Sequence, residues 1–209
     1  MSALAVGLLI AAGVVALGNW ISVARKLQTG MYIAKPLTLV LMIGAALALD
    51  PMSSTARTWF VIALVLSLAG DVFLMLPRDA FVPGLVSFLL AHIAYVVGLN
   101  QDSDGRWLFA LPVVLIAGVL GTRLVRGIRA GGHNELVVPV IAYVLTILVM
   151  VSSAVASGNA AGAVGAVLFM TSDSLIGENR FVVARPWQPV AIMVTYHLAQ
   201  ALLVISLTT

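Results

Sequence analysis

The sequence predicts an all-α, polytopic transmembrane bundle of eight helices, and three observations predict it. Hydrophobic residues make up 62% of the 209 residues and charged residues only 9%, whereas roughly a quarter of an ordinary soluble domain is charged. Apolar stretches fill nearly the whole chain, at 3–21, 33–49, 59–76, 81–99, 107–122, 136–156, 159–177 and 187–206, each near the ~20 residues a helix needs to cross a hydrocarbon core. None alternates as a membrane β-strand does, and backbone amides in lipid must be satisfied within their own segment. The connections are too short for a second, soluble domain, so residues 1–209 read as a single transmembrane domain.

The first stretch is apolar and rich in small residues, like a secretory signal. It lacks a basic leading region, and its first positive charges, Arg25 and Lys26, follow it, so it reads as a true span. Cysteine is absent, which removes disulfides and thiolate chemistry. The net charge of +3 does not indicate nucleic acid, because the basic residues lie between membrane spans and report topology. Odd-numbered connections hold Arg25, Lys26, Lys35, Arg78, Arg123, Arg126, Arg129, Arg180 and Arg185, whereas even-numbered ones hold only Arg57 and Arg106. This bias places the odd connections in the cytoplasm and both termini outside, as expected of a multi-pass protein of the plasma membrane.

Two spans carry a carboxylate. Asp71 lies in SLAGDVFLML, six residues before Pro77, and Asp173 lies in FMTSDSLIG, four before Gly177. A charge there is expensive in lipid, so these two residues mark where function should be sought. Lys35, at the start of the second stretch, belongs to the same face. A weak internal similarity pairs Lys35-Pro36 with Val138-Pro139, Asp71 with Asp173 and His92 with His197, at offsets of 103, 102 and 105 residues. Four intervening spans would give the halves the same orientation, so two parallel four-helix repeats are an expectation to test.

Around the carboxylates the helical spacing groups further polar residues. Ser67 and Asp71 are four apart and share a face, so the hydroxyl is expected to bond the carboxylate. His92 and Tyr95 share a face of the fourth span, His197 and Gln200 one of the eighth beside Tyr196, and Tyr143 lies in the sixth. Tyr and His near an interface are often mere anchors, but an anchor carboxylate has no advantage in lipid. Other features read as structural: Gly158 and Gly162 as small-residue packing, His133 as a solvated loop residue, and Asp102 and Asp104 as a turn too short for a calcium loop. Arg123, Arg126 and Arg129 can touch anionic headgroups, though topology already accounts for them.

Taken in order, YIAKPLTL at 32–39, SLAGDVFLML at 67–76, FLLAHIAY at 88–95, GAVLFMTSDSLI at 165–176 and the polar eighth span resemble the YhhN-type lysoplasmalogenase family. The resemblance covers nearly the whole chain, and the GD and SDS motifs are its most specific parts. It implies an integral-membrane hydrolase that cleaves the vinyl ether bond of a lysoplasmalogen, releasing a fatty aldehyde and a glycerophospho-alcohol. It also implies that Asp71 and Asp173 are the catalytic groups, and that the partners are a lysophospholipid substrate and the surrounding membrane lipids.

The residues suit that chemistry. A vinyl ether opens when a proton is delivered to its outer alkene carbon, giving an oxocarbenium ion that water captures. A carboxyl group in a low-dielectric site favours its protonated form, and two close carboxylates tend to share one proton, so one can act as acid while the other stabilises the cation. Lys35 is then expected to bind the substrate phosphate, or else to snorkel towards the headgroups. Ser67, His92, Tyr95, Tyr143, Ser172, His197 and Gln200 are expected to orient the carboxylates or the substrate. No cofactor or metal is expected. A zinc hydrolase using His92, His197 and one aspartate is a rival reading, and a proton-coupled transporter is another.

Overall fold

A computed structural model describes residues 1–101 and 111–208. Asp102, Asp104 and Arg106 lie outside the described residues. Eight helices follow one another: α1 (Ala3–Ala24), α2 (Gln28–Ala48), α3 (Ser54–Met75), α4 (Phe81–Leu99), α5 (Leu111–Ala130), α6 (Val137–Ala156), α7 (Ala160–Phe181) and α8 (Gln188–Ile205). Each is long and apolar enough to cross a membrane, and no strand occurs among the described residues.

Helix starts are set by side chains that satisfy the first free amides. Ser2 accepts from Ala5 N at 3.1 Å, Ser53 from Ala56 N at 3.2 Å and Asn159 from Gly162 N at 2.9 Å. Ser2 also donates to the carbonyl of Ala48, tying the start of α1 to the end of α2. At the opposite end of the bundle, Arg180 of α7 meets Asp79 in the α3–α4 connection at 2.8 Å. The α3–α4 connection and the end of α7 therefore meet on one face.

Burial is inverted relative to a soluble bundle. On α1, Ile10, Val14, Leu17 and Ile21 form an outer stripe exposed by 52–64%, while Ala5, Ala12 and Ala16 face inward. Lipid solvates large aliphatic side chains, so helix contacts are made instead by small residues that let backbones approach. Gly70, beside Asp71 on α3, shows the effect: a Cβ there would lie 2.6 Å from the Phe88 ring. Absence of that carbon lets Phe88 reach the centre, where Phe60, Leu64, Tyr95, Phe169 and Leu203 complete one core. α5 stands at the edge, joined to α6 by a separate small cluster of Leu124, Ile128, Val137 and Val140.

Five helix ends run three or more residues beyond the sequence expectation. α1 ends at Ala24 rather than 21, α2 begins at Gln28 rather than at 33, α3 begins at Ser54 rather than 59, α5 runs to Ala130 rather than ending at 122, and α7 continues to Phe181 rather than 177. Hydrophobicity stops where charges begin, but backbone hydrogen bonds carry the helix on into the headgroup zone. Consequently Arg123, Arg126 and Arg129 sit on the last turns of α5, not in a loop, and Lys35 lies two turns inside α2. The expected four-plus-four repeat is not confirmed: α1 packs extensively along α2, whereas α5 touches α6 sparingly.

Candidate active site

The two carboxylates occupy separate settings on either side of an aromatic wall. Asp71 on α3 is 1% exposed, with Lys35 Nζ of α2 at 2.8 Å from Oδ1 and the Tyr196 hydroxyl of α8 donating to Oδ2 at 2.8 Å. Both carboxylate oxygens are thus committed to donors, one of them cationic. Asp173 on α7 accepts from the Tyr143 hydroxyl of α6 at 2.7 Å, and His92 Nε2 of α4 lies 3.4 Å from the same Oδ2. Between the two stands Phe169, whose ring centroid is 4.7 Å from that of His92 and 5.5 Å from that of Tyr196. Phe88 packs edge-on against both Phe169 and Tyr196.

A proton can be located from this network. His92 Nδ1 is 2.6 Å from the carbonyl oxygen of Phe88, an acceptor only, so Nδ1 carries a hydrogen and donates. Nε2 of a neutral His92 then presents a lone pair towards Asp173. That nitrogen makes no hydrogen bond, although Asp173 Oδ2 is 3.4 Å away. Asp71 and Asp173 thus each have their own partners, Lys35 and Tyr196 for the first, Tyr143 and His92 for the second.

Asp173 is the more open of the two carboxylates, its side chain 7% exposed against 1% for Asp71. It lines, with Tyr143, a partly open cavity of about 60 Å³, walled by apolar side chains from α3 to α7, among them Phe88, Leu120, Ile147 and Met170. Apart from the carboxyl, the Tyr143 hydroxyl and Ser174, the lining is hydrocarbon and aromatic, the composition that accommodates an alkyl chain.

The other expected residues divide. Lys35, expected at a phosphate, is instead buried against Asp71 and does not line this cavity. Ser67 is fully buried, but its hydroxyl finds no hydrogen-bond partner, so the expected bond to Asp71 is not made. Ser172 donates to the carbonyl of Ile192 at 3.1 Å and ties α7 to α8. Tyr95 donates to Gln200 Oε1, leaving the Gln200 amide nitrogen without a partner. His197 accepts at Nδ1 from Trp20 Nε1 of α1 at 3.0 Å, so its hydrogen is on Nε2. The zinc set is therefore not assembled: His92 faces Asp173 while His197 faces Trp20, and among the described residues no three His, Asp or Glu side chains gather as ligands.

Two contributors escaped the sequence reading as site residues. Tyr196 had been noted only as a neighbour of His197, and Trp20 had not been noted at all. A tryptophan at the end of a span has the signature of an interfacial anchor, and nothing local announces a partner 177 residues away.

The fold and site define a class: all-helical membrane proteins that hold two carboxylates among aromatic side chains in the bundle core. Within that class the chain belongs to the YhhN family, whose model matches residues 30–207. It is similar to the lysoplasmalogenase of Mycobacterium bovis, 33% identical over 79% of this chain and 66% of that protein. It is also similar to lysoplasmalogenase TMEM86B of Homo sapiens, 34% identical over 69% of this chain and 61% of that protein, and to the membrane protein YhhN of Escherichia coli O157:H7, 32% identical over 53% of each. The chain spans a little less than two thirds of the length of these curated lysoplasmalogenases. No solved structure matches it.

Proposed function

We propose that the protein hydrolyses the vinyl ether bond of a lysoplasmalogen, with Asp173 as the acid. The single observation that carries this reading is Asp173, with His92 3.4 Å away, opening onto an apolar cavity, because carbon protonation needs an acid held beside an alkene and shielded from bulk water. Names borne by similar proteins from Mycobacterium bovis and Homo sapiens support the same reaction.

The Asp173 carboxyl gives its proton to the outer alkene carbon, the π electrons form the new C–H bond, and the ether oxygen stabilises the cation on the inner carbon. Water adds to that carbon and returns one proton to the Asp173–His92 pair, leaving a hemiacetal. The hemiacetal C–O bond to glycerol then breaks, the hydroxyl proton passes to the departing oxygen, and aldehyde and glycerophospho-alcohol are released with one water consumed. Tyr143 holds the carboxyl in place, and the faces of Phe88 and Tyr143 favour the transient cation. Asp71, fixed by Lys35 and Tyr196, acts at a distance as a positioning group for α2, α3 and α8.

The bias of positive charge to the odd connections supports a site near the cytoplasmic face of the plasma membrane, with both termini outside. Tags on the termini of sealed vesicles test this, and cleavage of either by a cytoplasmic-side protease overturns it. The reaction is tested by incubating purified protein with a lysoplasmalogen and with its saturated ether analogue and measuring free aldehyde. Aldehyde from the vinyl ether alone is expected. Equal handling of both lipids contradicts the mechanism, solute flux in liposomes without lipid turnover favours a transporter, and loss of activity on prolonged chelation restores a metal to the reaction.

A further inference from the structure

On the proposed reading a lysophospholipid must bring its phosphate close to the protein, and Lys35 is already committed to Asp71. The outer surface between α5 and α6 offers an alternative. A groove runs there over Gly118 and Gly121 of α5 and beside Leu145 and Leu148 of α6, with Arg126 and Arg129 at its odd-connection end. It shares Ala117, Val140 and Val144 with the cavity that Asp173 lines, so the two spaces adjoin along that seam.

Arg126 is exposed, pairs with no carboxylate among the described residues, and also borders a neighbouring depression beside Arg123 and Phe181. Arg123, one turn away, is by contrast held by Glu178 through Nε at 2.9 Å and Nη2 at 2.6 Å. The floor of the groove is open: a Cβ at Gly118 would meet nothing within 4 Å, and one at Gly121 would meet only Val144 at 3.3 Å.

Distances along the helices fit the ligand. Gly177 packs on Leu124, where a Cβ would lie 2.9 Å from Leu124 Cδ2, so those residues stand at one level. α5 and α7 run in the same direction, which puts Asp173, four residues deeper, level with Leu120, another residue of the cavity wall. Arg126 is six residues above Leu120, about 9 Å along the axis. In a lysoplasmalogen seven bonds separate the phosphorus from the outer alkene carbon, roughly 9 Å when extended.

We infer that the α5–α6 groove is the entry and headgroup site for the single-chain phospholipid, with its phosphodiester on Arg126 and Arg129 and its chain passing the Ala117–Val140–Val144 seam into the Asp173 cavity. Peripheral α5, held by its own small cluster, is the element whose displacement opens that seam. The guanidinium groups supply charge-assisted hydrogen bonds to phosphate, and the glycine floor supplies room for the glycerol and for the chain as it enters.

The test compares a lysoplasmalogen with the 1-alkenylglycerol that lacks phosphate, in vesicles of zwitterionic lipid and again with anionic lipid added. Arg126→Gln should raise KM for the lysoplasmalogen about tenfold with little change in kcat, and leave KM for the alkenylglycerol unchanged. Gly118→Leu, whose Cβ would meet nothing within 4 Å and whose side chain would enter the groove, should lower kcat/KM for both substrates. Equal effects of Arg126→Gln on both substrates, or none, overturn the proposal. An effect present only with anionic vesicles assigns the arginines to bulk lipid and also overturns it. Should the wild-type protein release no aldehyde from either substrate, the proposed reaction fails, and binding of the saturated ether lysophospholipid decides the groove: weaker binding by Arg126→Gln upholds it, and unchanged binding overturns it.

Discussion

Asp71 and Asp173 are both carboxylates on helices, both within the half of the bundle nearest the odd connections, yet their surroundings differ in kind. Asp71 meets a lysine and a tyrosine hydroxyl and is almost fully buried; Asp173 meets a tyrosine hydroxyl and a histidine nitrogen, and a cavity lies in front of it. On the proposed reading, the carboxylate paired with a cation positions helices, and the carboxyl beside an apolar space supplies the acid. Neighbours, rather than depth in the membrane, are what this reading uses to separate the two roles.

The difference can be broken from either side. Asp71→Asn leaves Lys35 buried without its counter-charge, which should cost about 3–5 kcal/mol of stability, read as a large fall in thermal midpoint of the detergent-solubilised protein. Adding Lys35→Met removes the stranded charge and should recover most of that loss; a single variant as stable as wild type shows the ion pair to be dispensable. Tyr143→Phe takes the hydroxyl donor from Asp173 and should lower kcat by about tenfold, the equivalent of one hydrogen bond to a charged or reacting group. Unchanged kcat removes Tyr143 from the mechanism.

The pH dependence sharpens the same contrast. Turnover needs one proton on the Asp173–His92 pair, so raising the pH removes the acid and the rate falls on the alkaline side. The Lys35→Met/Asp71→Asn double variant should keep that alkaline limb, since the proton is not on Asp71, whereas His92→Gln should move it. A limb that shifts in the double variant and not in His92→Gln assigns the proton to the wrong carboxylate here. The smallest effect is expected for Trp20→Phe, which frees His197 Nδ1: about fivefold in kcat/KM, the worth of one net hydrogen bond, together with a changed imidazole nitrogen chemical shift. No shift change means Trp20 does not hold the tautomer.

Much of this was legible in the sequence because lipid imposes strict rules. Eight apolar stretches gave eight helices, with Phe81–Leu99 matching at both ends. The cost of charge in lipid singled out Asp71 and Asp173, and helical spacing brought His92 and Tyr143 into consideration. Pairing was not legible. Which helix faces which is decided by small residues such as Gly70, which admits the Phe88 ring, and no periodicity within α3 or α4 reveals the other helix. So Lys35 was expected at a phosphate and is found at Asp71, and Ser67 was expected at Asp71 and makes no bond. Arginines on α5 were obscured for another reason: the hydrophobic signal ends at 122, eight residues before the helix does.

Aldehyde release by two folded variants tests the central assignment most directly. With Asp173→Asn, which keeps the shape but removes the proton, turnover of a lysoplasmalogen should fall by at least about a hundredfold, the usual contribution of a positioned general acid. The Lys35→Met/Asp71→Asn double variant, in the same assay and shown to be folded, should retain activity within about tenfold of wild type. The reverse order, with Asp173→Asn active and the double variant dead, contradicts the account.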